Sequence, residues 1–446
     1  MRSPVESDRC MLNRNEKRSM SQRLHTEFLG FEIENPWCVA SAPPTATGRL
    51  MADAFDAGWG AAIMKTVGPV EEPIINVAPR IQTMKKWNRE IAMQNIELIT
   101  DRRLSVWLDE LKTLRKRYPK KMIIGSIMAP GHDMDAWAKL IESMNQVGCN
   151  AVELNLGCPH GMPERDMGAV CSQDAEIVYN IVSTAKAASK VPILTKLTPN
   201  VTNIKVMAQA AKRGGADAIT VINTVNGIIG IDIYKRKPHL SVNGYTAVGG
   251  ISGNAVKPMG LKCVAECKQE TGLPISATGG IAAWSDGVEY LLMGADQLQV
   301  CTEIMIRGFK IVTGLNKGLE TYLDQMGFSS IAEAKGDLYK SVTSFGNLLK
   351  QSHSEKVQVN EETCTGCNLC VVACDNAGYD ALLLKEISDT KRTQGTRKVA
   401  EVIVDKCTGC NLCVAVCPVP ECMSLYDSKK AFPYQLHSSY SENTLR

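Results

Sequence analysis

From residue 28 to about 320, short apolar runs alternate with longer stretches in which apolar residues recur at i, i+3 and i+4. The runs are "WCVASA" (37–42), "AAIMKT" (61–66), "MIIGSIM" (122–128), "AVELNLG" (151–157), "PILTKLT" (192–198), "AITVIN" (218–223), "PISATGG" (274–280) and "QLQVCT" (297–302). Between them, stretches such as "DAWAKLIESMNQVGCN" and "NIKVMAQAAKRGGAD" carry a helical stripe and reach a glycine near their ends. Eight strand–helix units in succession predict an α/β fold, a (β/α)8 TIM barrel over residues 25–320. A doubly wound sheet is the rival arrangement. It would call for a G-x-G-x-x-G turn after the first strand, and the chain has none, so neither a nicotinamide nor an FAD dinucleotide site is expected here.

The pattern changes after residue 360, where nine of the seventeen cysteines lie. Eight of them form two runs, "CTGCNLCVVAC" (Cys364–Cys374) and "CTGCNLCVAVCP" (Cys407–Pro418), each spaced C-x2-C-x2-C-x3-C. Three thiolates at these intervals surround one corner of an iron–sulfur cluster, and the fourth, one helical turn on, reaches the other cluster. The spacing therefore assigns Cys364, Cys367, Cys370 and Cys417 to one [4Fe–4S] centre, and Cys407, Cys410, Cys413 and Cys374 to a second. Zinc also takes four cysteines, but structural zinc sites do not normally use this duplicated run. Asp375 replaces the proline expected after Cys374, and Cys422 is left over as a buried thiol. A ferredoxin-like 2×[4Fe–4S] domain is thus expected over 356–430, after a helical linker at 321–355. A polar extension (1–24) and a tail (431–446) flank the whole, with Met20 a second candidate start.

Composition narrows the class further. Hydrophobic residues make up 44% and charged residues 22%, and the net charge of +3 gives nucleic acid no basic surface to track. No apolar run approaches the roughly 18 residues that span a membrane, and the N-terminus lacks a secretory core, so a cytoplasmic protein is expected. In that setting the cysteines are ligands or packed thiols rather than a disulfide framework.

Clusters of this kind move single electrons, so the barrel before them is expected to be redox active. Barrel chemistry sits at the C-terminal ends of the strands. Those ends carry Ser41, Lys65, Thr66, Asn155, Cys158, Lys196, Asn223, Thr224, Gly279, Gly280, Cys301 and Thr302. "GGISG" (249–253) and "ATGGI" (277–281), with "CTE" after the eighth run, read as turns that offer backbone N–H groups to a phosphate. A phosphate-bearing cofactor that trades one electron with clusters and two with a substrate is FMN. Lys196 has a physical role beside it, since a cation stabilises the anionic reduced ring.

With these motifs in hand, the residues resemble the dihydroorotate and dihydropyrimidine dehydrogenases. "ASAPPTAT", "NIELI", "ELNLGCPHGM", "KLTPNVT", "RGGADAITVINTV", "GGISGNAVKP", "ATGGI" and the two cysteine runs are similar to the flavin barrel and ferredoxin-like domain of the dihydropyrimidine members, from about residue 28 to 425. In length and layout the chain is similar to the catalytic subunits of the bacterial NAD-dependent members. The resemblance implies reversible reduction of uracil and thymine across C5–C6 in pyrimidine degradation, and a separate NAD(P)H-oxidising, FAD-binding partner subunit. It implies that Cys158 is the acid at C5 while the flavin hydride goes to C6. A thiol with a pKa of about 8.5 is mostly protonated near neutrality and can donate.

The resemblance also makes Asn95, Asn155, Asn223 and Thr224 substrate contacts, and Glu97, in the same "NIELI" segment, is read either as reaching the substrate or as orienting the loop. It makes Ala40, Ser41, Lys65, Thr66, Lys196, Gly253, Gly279, Gly280, Cys301 and Thr302 flavin contacts. His160, beside the loop, is read either as tuning the thiol or touching substrate, or as a loop histidine bonded to backbone. The family usually carries serine before the cysteine, where this chain has Gly157. Cys171 is a second candidate thiol, disfavoured by its position off the strand end.

Three other readings stand beside this one. Dihydroorotate dehydrogenases need an additional cation or donor for the orotate carboxylate, and the related enzymes of that kind keep their clusters on another protein. "NLGCP" also resembles the dihydrouridine synthases, which lack a twin-cluster domain. An electron-transfer subunit with a non-catalytic barrel would predict loss of the strand-end polar residues, which are present. Homo-oligomerisation is left open.

Overall fold

The computed structural model describes residues 22–69, 74–159, 162–351, 354–389, 393 and 395–429. The extension up to residue 21, His160 and the tail beyond 429 lie outside the described residues. The chain separates into two compact units, Met1–Val342 and Thr343–Arg446.

In the first unit, eight strands close in chain order into a parallel barrel. They are β1 (Trp37–Val39), β2 (Ala61–Ile63), β3 (Met122–Ile127), β4 (Ala151–Asn155), β5 (Ile193–Lys196), β6 (Ala218–Val221), β7 (Ile275–Thr278) and β8 (Gln297–Val300). The register Leu298↔Trp37 and Val300↔Val39 joins β8 back to β1. Each falls inside one of the eight apolar runs, because a parallel sheet covered on both faces leaves no position that prefers water. Several helices between the strands begin at short polar side chains that cap their first N–H groups. Asp133 accepts from Ala136, Asp174 from Glu176 and Ile177, and Asn203 from Lys205.

Alternation along the strands sorts two cores. Outward residues such as Val152, Leu154, Ile193, Ile219 and Leu298 meet the helices in the large core. Inward residues at the strand starts, among them Cys38, Ala61, Met122, Ala151, Leu194 and Ala218, form a small apolar layer with Phe28 and Ile33. The next inward layer is polar, with Ser126, Glu153, Lys196, Thr220, Ser276 and Gln299 all buried.

Two excursions leave the barrel. The hairpin Ile81–Lys86/Arg89–Asn95 follows β2, and the segments Val225–Gly227 and Gly249–Ser252 follow β6. They join in one antiparallel sheet, in the order Val225–Gly227, Gly249–Ser252, Arg89–Asn95, Ile81–Lys86. This corrects the reading of "GGISG" as a turn. Most of it is a strand placed before β7, paired Gly250↔Asn95 and Ser252↔Met93. A Cβ on Gly250 would fall 2.1 Å from Thr224 Oγ1, so close approach explains the glycine.

Residues 321–342, expected to be linker, belong to the first unit, where Leu323, Ile331 and Ala334 are buried in the large core. The second unit contains two antiparallel pairs, Glu355–Val359 with Met423–Asp427 and Leu382–Ser388 with Thr396–Val402. Two short helices, Leu369–Asn376 and Leu412–Val416, pack against each other there.

Candidate active site

At the C-terminal ends of the strands lies a cavity of about 140 Å³. Ala40 and Ser41 line it after β1, Lys65 and Thr66 after β2, and Asn95 and Glu97 from the excursion hairpin. Asn155 and Cys158 come from β4 and its loop, Lys196 from β5, and Asn223 and Thr224 follow β6. A second cavity of about 40 Å³ is lined by Gly253, Gly280 and Thr302, and shares Thr278, Gly279 and Cys301 with the first. The substrate and flavin contacts expected from the sequence, His160 aside as outside the described residues, therefore lie at these two cavities, whereas Gly157 and Cys171 line neither.

A continuous set of hydrogen bonds orients the polar wall. Thr66 Oγ1 lies 3.1 Å from Ser41 Oγ and 2.8 Å from Ser126 Oγ, and it accepts from Asn155 Nδ2 at 2.9 Å. Asn155 Oδ1 accepts from Asn223 Nδ2 at 2.9 Å and from the Gly157 N–H at 3.3 Å. Asn223 Oδ1 accepts from the Thr224 N–H at 2.9 Å. Backbone N–H groups only donate, so both carboxamide oxygens are pinned. Each asparagine keeps one N–H for a ligand, which suits a ring carbonyl.

This arrangement also explains Gly157. A Cβ there would sit 2.7 Å from both Cβ and Nδ2 of Asn223. Without one, Asn223 closes onto Asn155.

Charges in the wall come in opposed pairs. Lys65 Nζ lies 2.9 Å from Glu97 Oε2, and Arg80 Nε lies 3.0 Å from Glu97 Oε1. Lys196 Nζ lies 3.5 Å from Glu153 Oε1, on a side chain with no exposed surface. Between these groups, burial pushes the Cys301 thiol up to about 11, against the pull of Lys196 and Lys65, so it stays protonated near neutral pH.

Cys158 is half-buried and lines the cavity, against a cluster that includes Met162 and Met167. Its carbonyl accepts from the Ala169 N–H at 2.9 Å, which ties the start of the loop to its middle. Cys171 is fully buried and lines neither cavity, and burial pushes its thiol up to about 12.

In the second unit the two cysteine runs repeat each other's conformation. Asn368 and Asn411 both take a left-handed backbone, at φ 71° and 70°, to turn the loop into its helix. Cys364, Cys367, Cys370 and Cys417 surround one cavity, and Cys374, Cys407, Cys410 and Cys413 surround another. Sulfur of Cys364 accepts from the Ala400 N–H and sulfur of Cys374 from the Ala381 N–H, each at 3.4 Å. Cys422, expected only to be buried, is buried and also lines the first of these cavities. No three His, Cys, Asp or Glu side chains among the described residues are grouped as ligands of a single metal ion.

Residues 23–323 match the dihydroorotate dehydrogenase family model, and residues 357–425 match that of the 4Fe-4S dicluster domain. The chain belongs to the dihydroorotate and dihydropyrimidine dehydrogenase family. The chloroplastic dihydropyrimidine dehydrogenase (NADP(+)) of Arabidopsis thaliana is 36% identical over 336 residues, 72% of this chain and 78% of that one. The NAD-dependent dihydropyrimidine dehydrogenase subunit PreA of Escherichia coli (strain K12) is 35% identical over 379 residues, covering 84% of this chain and 90% of its own. The catalytic subunit of dihydroorotate dehydrogenase B (NAD(+)) from Pyrococcus horikoshii is 34% identical over 322 residues, 71% of this chain and 98% of that one. The protein is an oxidoreductase, and among its described residues no helix is long and apolar enough to cross a membrane.

FMN, the flavin of this dehydrogenase family, fits the residues present. The smaller cavity is lined by Gly253, Gly279 and Gly280, with Glu90 and Glu303 also on its lining, and the N–H groups of Gly280 and Thr302 meet no acceptor among the described residues, as a phosphate site requires. The larger cavity sets Lys65, Lys196 and the neutral Thr66–Asn155 chain around the space left for a ring. The thiols of the second unit fit iron–sulfur clusters. They stand around a void, as ligands of a cubic cluster do, with one backbone N–H on a sulfur at each.

Glu153 escaped the sequence reading, although a signal was present. It is a carboxylate at an inward position of an otherwise apolar strand, a place that charges occupy only when paired.

Proposed function

We propose that the protein reversibly reduces uracil and thymine to their 5,6-dihydro forms. FMN would sit in the barrel, and two [4Fe–4S] clusters would relay electrons from an NAD(P)H-oxidising, FAD-binding partner subunit. The observation that carries this reading is the charge balance of the cavity. Lys65 already faces Glu97 at 2.9 Å and Lys196 faces Glu153 at 3.5 Å. Among the described residues that line the cavity, the charged side chains are these two lysines and Glu97. A C6 carboxylate such as that of orotate would meet cations already paired and a carboxylate of its own sign. A neutral dioxopyrimidine meets the outward N–H groups of Asn155 and Asn223 with its carbonyls.

When bound, FMN supplies the hydride. Asn155, Asn223 and Thr224 hold the ring, Asn95 and Glu97 close its other side, and Cys158 holds the proton destined for C5. His160 is proposed as a further contact of that loop. Ala40, Ser41, Lys65, Thr66, Lys196 and Cys301 would hold the flavin ring region, with Gly253, Gly279, Gly280 and Thr302 at its phosphate. The cysteines around each cavity of the second unit are the proposed ligands: Cys364, Cys367, Cys370 and Cys417 for one cluster, Cys374, Cys407, Cys410 and Cys413 for the other.

The test is turnover of uracil against orotate by the purified holoenzyme with a reduced artificial donor. Uracil alone is expected to react. Orotate turnover overturns the reading in favour of a dihydroorotate enzyme, and bound flavin with no turnover of either makes the barrel a scaffold. Glu97→Gln removes the carboxylate that neutralises Lys65. Orotate binding is expected to tighten about tenfold relative to uracil, a change of ~1.4 kcal/mol. An unchanged ratio of dissociation constants shows that Glu97 does not select.

Gly157→Ser tests the asparagine pair. The new side chain forces Asn223 away from Asn155, and one lost hydrogen bond is worth about 1 kcal/mol, roughly fivefold. The KM for uracil is expected to rise by about that factor with kcat within about twofold. A fall in kcat with unchanged KM means that residue 157 acts on the chemistry instead.

A further inference from the structure

Glu153 projects into the barrel from β4, two residues before Asn155, and none of its surface is exposed. Its Oε2 accepts from Thr220 Oγ1 at 2.9 Å and from Gln299 Nε2 at 3.4 Å. Gln299 Nε2 also donates to Ser276 Oγ at 2.8 Å. Its Oε1 accepts no hydrogen bond and faces Lys196 Nζ at 3.5 Å. Lys196 lines the cavity, and Glu153 stands behind it without lining the wall.

Burying a carboxylate costs several kcal/mol even after relaxation, and replacing a buried pair by apolar residues is often neutral or stabilising. Stability alone therefore gives no reason for this pair. The layer beneath is apolar at Ala151, Leu194 and Ala218, so the barrel can be filled without charge one step away. What distinguishes the Glu153 layer is that one of its members, Lys196, lines the cavity.

We propose that Glu153 is a positioning residue for Lys196, and that it sets how far the lysine charge favours reduction of the flavin. The inference rests on the reading that FMN occupies the cavity. Reduction places negative charge on the ring, and an ammonium in the wall favours it. A carboxylate 3.5 Å behind that ammonium offsets part of the field, in a setting with little water to screen it. It also draws Nζ toward it, because Oε1 has no hydrogen-bonding partner and Lys196 is the cation it faces. The consequence is a flavin that is reduced less readily than an isolated lysine would make it, and that gives up its electrons more readily.

The test uses the holoenzyme and Glu153→Gln, which keeps the side-chain size and an oxygen for Thr220. The readouts are the two-electron potential of bound FMN and the affinity of that flavin for sulfite. The reduction equilibrium is expected to shift at least tenfold toward the reduced form, a rise of about 30 mV for a two-electron couple. Sulfite affinity is expected to rise in parallel. In a Lys196→Met background the same substitution is expected to change neither quantity. An absent shift, or an equal shift in both backgrounds, overturns the inference. If Glu153→Gln does not retain FMN, Glu153→Asp, which keeps the charge but withdraws it, must give a smaller shift of the same sign, and no shift there overturns the inference too. A parent enzyme that binds no FMN is a distinct result, which sinks the underlying reading.

Discussion

Cys158→Ala is expected to abolish nearly all pyrimidine reduction, by at least about a hundredfold in kcat/KM, with FMN and iron contents at parent values. General acids contribute about 10² to 10⁴ in rate, and the methyl group of alanine has no proton to give. Cys158 is the cysteine of its loop that lines the cavity, whereas Cys171 is sealed in the core. Steady-state assays of both variants separate them. A loss within about tenfold for Cys158→Ala, under ~1.4 kcal/mol, excludes the thiol as the acid. Cys171→Ala should leave kcat/KM within about twofold, since it touches stability rather than chemistry.

The second large effect is expected in the other unit. Cys417 belongs by sequence to the second cysteine run, yet it stands at the cavity of Cys364, Cys367 and Cys370. Cys374, from the first run, stands with Cys407, Cys410 and Cys413. Cys417→Ala is therefore expected to remove one of two clusters, leaving about half the iron, and to stop turnover driven by the partner subunit. The paramagnetic signal lost from the reduced protein should be the one lost in Cys364→Ala, and different from that lost in Cys407→Ala. If Cys417→Ala and Cys407→Ala remove the same signal, each run holds its own cluster and the crossed arrangement fails.

Much of this architecture was legible locally. Eight largely apolar runs marked eight strands because both faces of a parallel barrel are covered, and the polar residues within them are buried in the inward layer. The cysteine spacing groups the thiols in the same two sets that line the two cavities, since ligand geometry is carried by a short loop and one helical turn. Cys158, Lys65 and Lys196 stood out because reactive or charged groups at strand ends face the mouth of a barrel.

What escaped were the relations across the barrel. Glycines 249 and 250 suggested a turn, but pairing with Met93–Asn95 makes them a strand, and strand pairing between segments 155 residues apart leaves no local trace. Glu97 and Lys65 lie on different segments, and only closure of the excursion sheet brings them to 2.9 Å. Gly157 was noticed as a departure from its relatives, but its meaning depends on Asn223, which arrives from β6. Glu153 lay within an apolar run and drew no attention until Lys196, Thr220 and Gln299 closed around it from three other strands. Strand period and ligand spacing are short-range properties that a chain carries in its order of residues. The charge balance of the cavity is a sum over strands distant in sequence, so it came into being only when the barrel closed.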